Sequence, residues 1–353
     1  MKKWLKVALC ILLAVVLLVG GYVAYVFIDY HRLGDMTLTP THNADTAESG
    51  TVYTMISYNI GFGAYESDYG FFMDGGTESR AWSKERLTKN LTAISTFLQE
   101  QDADFYLLQE VDTGATRTYQ VDERAYFTEA LSGMSWVYCQ NYDSPYLMYP
   151  LLKPHGASHA GLMTFSTADI AAASRVELPI EGGFMKLLDL DRCYSVSRIP
   201  VSGSKELVLY NLHLSAYTSD GTIATEQLKL LLADMQAEYE SGNWCVAGGD
   251  FNKDLLGDSA AWFGEADQSY SWAQPIPAET FAGVDVSLEA PLDENDPVPS
   301  CRNADGPYHE GQYVLTVDGF LTTPNVTVSQ ATVLDTGFAW SDHNPVKMTF
   351  TLS

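Results

Sequence analysis

The chain has 353 residues, of which 20 are basic and 45 are acidic, and its formal net charge at pH 7 is −25. Hydrophobic residues make up 46% and charged residues 18%, which excludes a disordered chain and indicates a globular protein. The excess of acid disfavours binding of nucleic acid through a broad basic surface, because Lys and Arg are what neutralise phosphates. It is compatible with an acidic enzyme acting on phosphate esters, because carboxylates bind the metal ion that such chemistry needs.

The N-terminus predicts a single membrane-spanning helix. Residues 7–28 contain no charged side chain, and at ~1.5 Å per residue a helix of that length crosses the ~30 Å hydrocarbon core. The lysines within residues 1–6 predict a cytoplasmic tail, which places the rest of the chain outside the cytoplasm at the cell membrane. Residues 29–50 are polar and are predicted to be a tether without folded structure.

A cleaved signal peptide is the alternative explanation for this segment. Tyr22 and Tyr25 interrupt the small residues that a cleavage site would need, and the apolar run is long for a signal peptide. An uncleaved anchor is therefore the preferred interpretation.

Beyond the anchor, short apolar runs alternate with two amphipathic segments, in which leucines recur at three- and four-residue steps. Most strands follow one another directly, which favours two packed, mostly antiparallel β-sheets flanked by helices over a doubly wound parallel sheet. Residues 51–353 are expected to form one domain, in which residues 285–312 are a long surface loop. In chain order the predicted elements are a strand over 52–60, a helix over 84–101, strands over 104–109, 161–166, 193–199 and 206–212, a helix over 225–240, and strands over 243–247, 314–321 and 346–352.

Polar residues recur at or next to the ends of these strands. A rigid sheet can hold such residues along one edge, where loops give a substrate access. Each residue alone has an ordinary explanation, such as a turn former or a partly buried histidine. Together they offer the oxygen and nitrogen groups that a hard metal ion and a phosphate need. They are Asn59, Glu110, His213, Asp250, Asn252, Asp318, Asp342 and His343.

The motifs around these residues resemble the endonuclease/exonuclease/phosphatase superfamily, which includes pancreatic deoxyribonuclease, abasic-site endonucleases, inositol polyphosphate phosphatases and bacterial sphingomyelinases. The resemblance covers residues 51–353 and implies an α/β four-layer sandwich of two packed, mostly antiparallel sheets flanked by helices. The motifs, in order, are Ser57-Tyr58-Asn59, Leu108-Gln109-Glu110, Asn211-Leu212-His213, Gly249-Asp250-Phe251-Asn252, Val317-Asp318-Gly319 and Ser341-Asp342-His343-Asn344-Pro345.

The resemblance implies a hydrolase that uses Mg²⁺, with Mn²⁺ as a possible substitute. Hydrolysis of a phosphate ester needs neutralised phosphoryl charge and an aligned water. Glu110 is the expected direct metal ligand, with Asn59 orienting the metal shell and Asp342 supporting it or binding a second metal. Whether one or two metals act stays open.

The remaining residues are expected to handle protons and phosphate. Asp250 would deprotonate the attacking water, and Asn252 would hold the phosphate. Asp318 would orient His343 and raise its basicity. His213 would contact the phosphate or protonate the leaving group, and which histidine is the acid stays open.

The candidate substrate contacts are three of the few basic residues, together with one neighbouring asparagine. Arg80 lies in the stretch that follows Asn59, Arg192 follows an acidic segment, and Arg302-Asn303 lies in the acidic loop. The aromatic segment 141–150 could contact lipid or stack on a ligand, although packing in the core is the alternative. His155 and His159 could contact phosphate, although exposed loop positions are the preferred interpretation.

The sequence predicts a membrane-tethered, metal-dependent phosphoesterase that hydrolyses a phosphodiester or phosphomonoester by in-line attack of an activated water. The substrate could be a lipid head group, a nucleic acid or a small metabolite, and no protein partner is implied. The alternatives are an extracellular nuclease acting on DNA or RNA, a sphingomyelinase-like lipid phosphodiesterase, and a non-catalytic binding protein on the same fold.

Overall fold

The computed structural model describes residues 2–182, 190–203, 205–216, 221–264 and 273–353. The helices there are α1 (Lys2–Asp29), α2 (Lys84–Gln101), α3 (Arg124–Ala130), α4 (Thr222–Glu240) and α5 (Ser259–Phe263). The strands are β1 (Met36–Leu38), β2 (Val52–Asn59), β3 (Phe105–Asp112), β4 (Ser135–Asp143), β5 (His159–Ser166), β6 (Ala172–Glu177), β7 (Cys193–Val201), β8 (Lys205–His213), β9 (Trp244–Asp250), β10 (Ser287–Glu289), β11 (Cys301–Arg302), β12 (Val314–Leu315), β13 (Asp318–Thr322), β14 (Val326–Val333) and β15 (Val346–Leu352).

These strands form two mixed sheets and a short ribbon of β11 and β12. Over the described ranges, the first sheet has the order β1-β6-β7-β8-β9-β13-β10 and the second the order β14-β15-β2-β3-β5-β4. Neighbouring strands are antiparallel except β8 with β9 and β2 with β3, which are parallel. A parallel pair needs a crossover connection, and α4 and α2 lie in these two connections.

Apolar side chains fill three layers around the two sheets. Met55 of the second sheet and Leu209 of the first are buried in the layer between the sheets. Leu91 of α2 is buried against the second sheet, and Leu228 of α4 is buried against the first. Full burial of one such side chain is worth about 1.5–3 kcal/mol. The predicted α/β sandwich of two sheets flanked by helices is confirmed.

The N-terminal helix α1 is exposed along most of its length. It is long and apolar enough to cross a membrane, and it contains the predicted span of residues 7–28.

Residues 29–50 differ from the predicted unfolded tether. β1 lies in this segment and pairs antiparallel with β6. Ala47 is buried, and it forms a bridge with Val201 at the end of β7. The segment adds only one short edge strand to the sheet, so it contains too few apolar residues to show a periodic pattern.

Other departures from the predicted elements have a similar origin. β4, β6 and β14 carry alternating polar side chains and were not predicted. The segment 285–312 is not only a surface loop, since β10 and β11 lie in it and Ser300 is fully buried. Its prolines and acidic residues indicated a surface loop, so its buried residues were not recognised from the sequence.

Candidate active site

The carboxyl ends of the two parallel strand pairs meet at one edge of the sandwich. Asn59 ends β2, and its Nδ2 donates a hydrogen bond to Oδ2 of Asp250, which ends β9, over 3.1 Å. His213 at the end of β8 and Asp318 at the start of β13 lie opposite Asp250 on either side of β9. The geometry of the sheets therefore brings together residues from four distant parts of the chain.

Glu110 reaches this group because β3 is irregular next to it. The pairing of β3 with β5 shifts register between Leu108 and Val111, and Glu110 has a φ of 58°, in the left-handed region. A bulge of this kind redirects a side chain at a cost in backbone energy. Nδ2 of Asn59 donates to Oε1 of Glu110 over 3.2 Å, so one amide contacts both carboxylates.

The His343 imidazole is held by a carboxylate. Its Nδ1 lies 2.8 Å from Oδ2 of Asp318, which also accepts a hydrogen bond from the Ser300 hydroxyl over 2.8 Å. Burial lowers the pKa of His343, but Asp318 and Cys301 outweigh it and leave the pKa well above the usual value. The predicted pair of His343 and Asp318 is present, and the carboxylate favours the protonated form of the imidazole.

The second imidazole, His213, has a pKa that is shifted in the opposite direction. Its Nε2 lies 3.5 Å from Oδ2 of Asp250, and within the described part of the chain its buried Nδ1 has no hydrogen-bond partner. Burial, with the charges of Arg192 and His343, lowers the pKa of His213 well below its usual value. Burial also raises the pKa of Asp250 to about 7, where this carboxyl can exchange a proton at neutral pH.

Asn252 shapes the same edge. Its backbone N–H donates to Oδ1 of Asp250 over 2.8 Å, and its Nδ2 donates to the Leu214 carbonyl over 2.7 Å. Its φ of 49° lies in the left-handed region, which asparagine tolerates better than most residues. Asn252 therefore fixes Asp250 and lines the cavity.

Two groups of residues have the donor chemistry of a divalent metal site. Asp250, Asp318 and His343 have ligand atoms that all lie within 4.8 Å of one another, and they could hold a metal ion. Glu110 and Asp342 are half-buried and line the same cavity, and the loss of solvent there raises the pKa of both. A bound cation would offset the cost of charging two such carboxylates, so Glu110, Asp342 and the Asn59 amide also fit a hard metal ion.

The predicted substrate contacts divide into two groups. Arg192, Arg302 and Asn303 line the cavity. Arg80 is not among the described residues that line it, and its Nε donates instead to the Pro154 carbonyl over 2.6 Å. The Arg302 guanidinium donates to the carbonyls of Tyr65, Glu66, Tyr69, Asn303 and Gly306. It therefore braces the loops that form one wall of the cavity.

Arg117 and His155 line the cavity and were not predicted there. Arg117 makes two hydrogen bonds to Asp112, of 2.9 and 2.8 Å, and its guanidinium lies 3.8 Å from the centre of the Phe62 ring. His155 was expected to be exposed, but it is buried, with Nδ1 2.9 Å from the Ser79 carbonyl. Neither residue follows a strand or lies in a motif, so nothing in the sequence indicated Arg117, and exposure was the preferred interpretation for His155.

The sandwich and its cluster of buried acids and imidazoles define a phosphoesterase or nuclease fold. Residues 56–343 match the endonuclease/exonuclease/phosphatase family, and the chain belongs to that family. A search of curated protein sequences finds no significant match.

Solved structures with this fold share little sequence with the chain. An endonuclease/exonuclease/phosphatase from Beutenbergia cavernae is 17% identical with a TM-score of 0.55, over 86% of this chain and 72% of the other. One from Bacteroides vulgatus is 13% identical with a TM-score of 0.54, over 86% and 100%. The 2′,3′-cyclic phosphatase ANGEL2, in complex with adenosine-2′,3′-vanadate, is 16% identical with a TM-score of 0.55, over 90% and 99%. At these identities the likeness extends to the fold.

Proposed function

We propose that this chain is a membrane-anchored hydrolase that breaks a phosphodiester or phosphomonoester bond with the help of Mg²⁺ or Mn²⁺. The observation that supports it most directly is the position of Asp250 between two imidazoles whose pKa values are shifted in opposite directions. Oδ2 of Asp250 lies 3.5 Å from Nε2 of His213 and 3.8 Å from Nε2 of His343. A carboxyl group and two imidazole nitrogens thus surround one point in the cavity.

Glu110, Asn59 and Asp342 would hold the metal ion, which would neutralise charge on the phosphoryl oxygens and orient the phosphate. The two carboxylates are half-buried and have raised pKa values, so protons would compete with the ion as the pH falls. Asn59 would keep both Glu110 and Asp250 in place through the two hydrogen bonds of its amide.

Asp250 would act as the base. It would take a proton from a water molecule while the water oxygen forms a bond to phosphorus, and the bond from phosphorus to the leaving oxygen would break on the opposite side. Both imidazoles lie within 4 Å of Asp250, on the side of the attacking water. We therefore assign the His343 cation and the neutral His213 to the phosphoryl oxygens, and the leaving oxygen would take its proton from solvent.

Membrane anchorage is supported by α1, which is long and apolar enough to cross a bilayer. The lysines before its apolar run favour a cytoplasmic N-terminus, which would place the catalytic domain outside the cytoplasm.

The test is hydrolysis of bis-p-nitrophenyl phosphate by the full chain in detergent micelles with Mg²⁺ or Mn²⁺. We expect EDTA to abolish turnover, and we expect Asp250→Asn and His343→Gln to lower kcat by about 10²–10⁴-fold. His309→Gln, at an exposed histidine, is the matched control and should leave kcat unchanged. Turnover that survives EDTA, or that persists in Asp250→Asn, would overturn the mechanism, and no turnover with either metal would favour a binding protein.

A further inference from the structure

An exposed apolar loop lies beside the N-terminal helix. Within residues 146–152, hereafter the apolar loop, Leu151 is 79% exposed and Leu152 is fully exposed at 102%. Met148 and Tyr149 are exposed as well, at 47% and 67%. A run of large apolar side chains turned toward solvent is unusual in a soluble protein and marks a surface that contacts another apolar phase.

The contacts between α1 and the apolar loop indicate that this apolar phase is the membrane. The Tyr22 hydroxyl donates to the Tyr146 carbonyl over 3.1 Å and accepts from the Met148 N–H over 3.0 Å. The Tyr25 hydroxyl accepts from the Tyr146 N–H over 3.0 Å. Tyr22 precedes Ile28, the last residue of the apolar run, by six positions, or about 9 Å along the helix. The apolar loop is therefore level with the apolar part of α1, at a depth where an anchored helix meets the bilayer.

A groove runs from this loop toward the catalytic residues. Phe72, Met73, Leu147 and Tyr149 line it, and the Phe72 and Tyr149 rings are in contact, with their centroids 5.6 Å apart. Tyr142 and His155 also line it. Met73, Tyr142 and His155 line the catalytic cavity too, so the groove is continuous with the site that contains Asp250 and His343. Five of its six lining residues are apolar or aromatic.

We propose that the substrate is a phosphate ester with a long hydrocarbon chain, drawn from the bilayer that α1 spans. The phosphate would occupy the catalytic cavity, and the first part of the hydrocarbon would lie in the groove between Phe72 and Leu147. The apolar loop would rest in the membrane and deliver the lipid to the groove. This inference rests on the proposed hydrolase function and adds the class of substrate.

The first test is a series of p-nitrophenyl alkyl phosphates with two to eight carbons, below their micelle concentrations. All members share one leaving group and one scissile bond, so only the hydrocarbon varies. For the wild-type full chain, kcat/KM should rise by up to about fourfold per methylene until the groove is filled. A flat series would overturn the inference.

A groove variant makes this test specific. Leu147 lines the groove but not the cavity, among the described residues. Leu147→Trp should fill the groove and flatten the series. If that variant does not fold, Leu147→Gln should also reduce the slope. Leu230→Gln, at an exposed leucine of α4, is the control and should keep the wild-type slope. A wild-type slope in a folded groove variant would contradict the proposal.

The second test measures directly whether the apolar loop contacts the membrane. Leu152→Cys and, as a control, Leu230→Cys are labelled with a polarity-sensitive fluorophore in a Cys10→Ser background, and the full chain is reconstituted in phosphatidylcholine discs. The other four cysteines are buried. Spin-labelled lipids should quench the probe at position 152 at least threefold more than the probe at position 230. Equal quenching at the two positions would refute membrane contact of the loop.

The outcomes separate the two proposals. If the ethyl ester is not hydrolysed with Mg²⁺ or Mn²⁺, the hydrolase function itself fails. If the ethyl ester is hydrolysed without any dependence on chain length, only the lipid inference fails. Faster hydrolysis of a DNA or RNA oligonucleotide than of the octyl ester would also overturn it, in favour of a nuclease.

Discussion

Acid should destabilise the fold through His155. This histidine is buried against Phe71 and Phe72, and burial, with the charge of Arg117, lowers its pKa to about 3 from 6.5 in the unfolded chain. Between pH 6.5 and pH 3 the unfolded chain therefore binds a proton that the folded chain does not. The free energy of unfolding falls as the pH drops through that window, and it is unaffected by this group above pH 7.

The magnitude follows from the two pKa values. At pH 5 the unfolded imidazole is almost fully protonated and the folded one is neutral, which lowers the free energy of unfolding by about 2 kcal/mol relative to pH 8. Other groups titrate over the same range, so the difference between wild type and His155→Gln isolates this histidine. The variant should lose about 2 kcal/mol less than wild type between pH 8 and pH 5.

Urea unfolding followed by tryptophan fluorescence can measure this, because the chain contains 7 tryptophans. His309→Gln changes an exposed histidine and should retain the wild-type pH dependence. Equal losses of unfolding free energy in His155→Gln and wild type between the two pH values would refute this role of His155.

Three further predictions concern the site and its support. Asp318→Asn should lower kcat by about 10²–10⁴-fold and move the pH profile, because the amide cannot stabilise the His343 cation; an unchanged profile would contradict this role. Gly249→Ala should prevent folding or lower the free energy of unfolding, measured with urea, by about 2–4 kcal/mol. The added carbon would lie 2.0 Å from the Leu212 carbonyl oxygen. Wild-type stability would disprove the clash. Mg²⁺ should raise the Tm of wild type but not of Glu110→Gln, as measured by differential scanning fluorimetry, whereas equal shifts would place the ion elsewhere.

Local sequence patterns predicted the parts of the fold that depend on local periodicity. α2 has the predicted bounds, because its leucines form one continuous stripe and Ser83 caps its first turn by accepting from the Arg86 N–H. Strands with continuous apolar runs, such as β8 and β9, were predicted in the same way. Edge strands such as β1 and β14 were missed, because β1 has only three residues and a register shift between Val328 and Gln330 interrupts the alternation of β14.

The residues of the site also divide into those with a local sequence signal and those without one. Asp250, Asp318 and His343 lie within short motifs at strand ends, so their types and positions were visible in the sequence. Arg117 and His155 reach the cavity only through contacts with Asp112 and with Ser79, which depend on how loops pack. The groove behind the cavity is likewise formed by two loops that are more than 70 residues apart in the chain, and no local pattern encodes that meeting.

Hydrolysis of p-nitrophenyl ethyl phosphate in ¹⁸O-labelled water, with the full chain and Mg²⁺, shows which bond breaks and whether Asp250 activates the attacking water. Attack of an Asp250-activated water at phosphorus predicts one ¹⁸O atom in ethyl phosphate and none in p-nitrophenol, with release that falls by at least ~100-fold in Asp250→Asn. Label in the phenol, or equal release by wild type and Asp250→Asn, would contradict a phosphoesterase that works through this site.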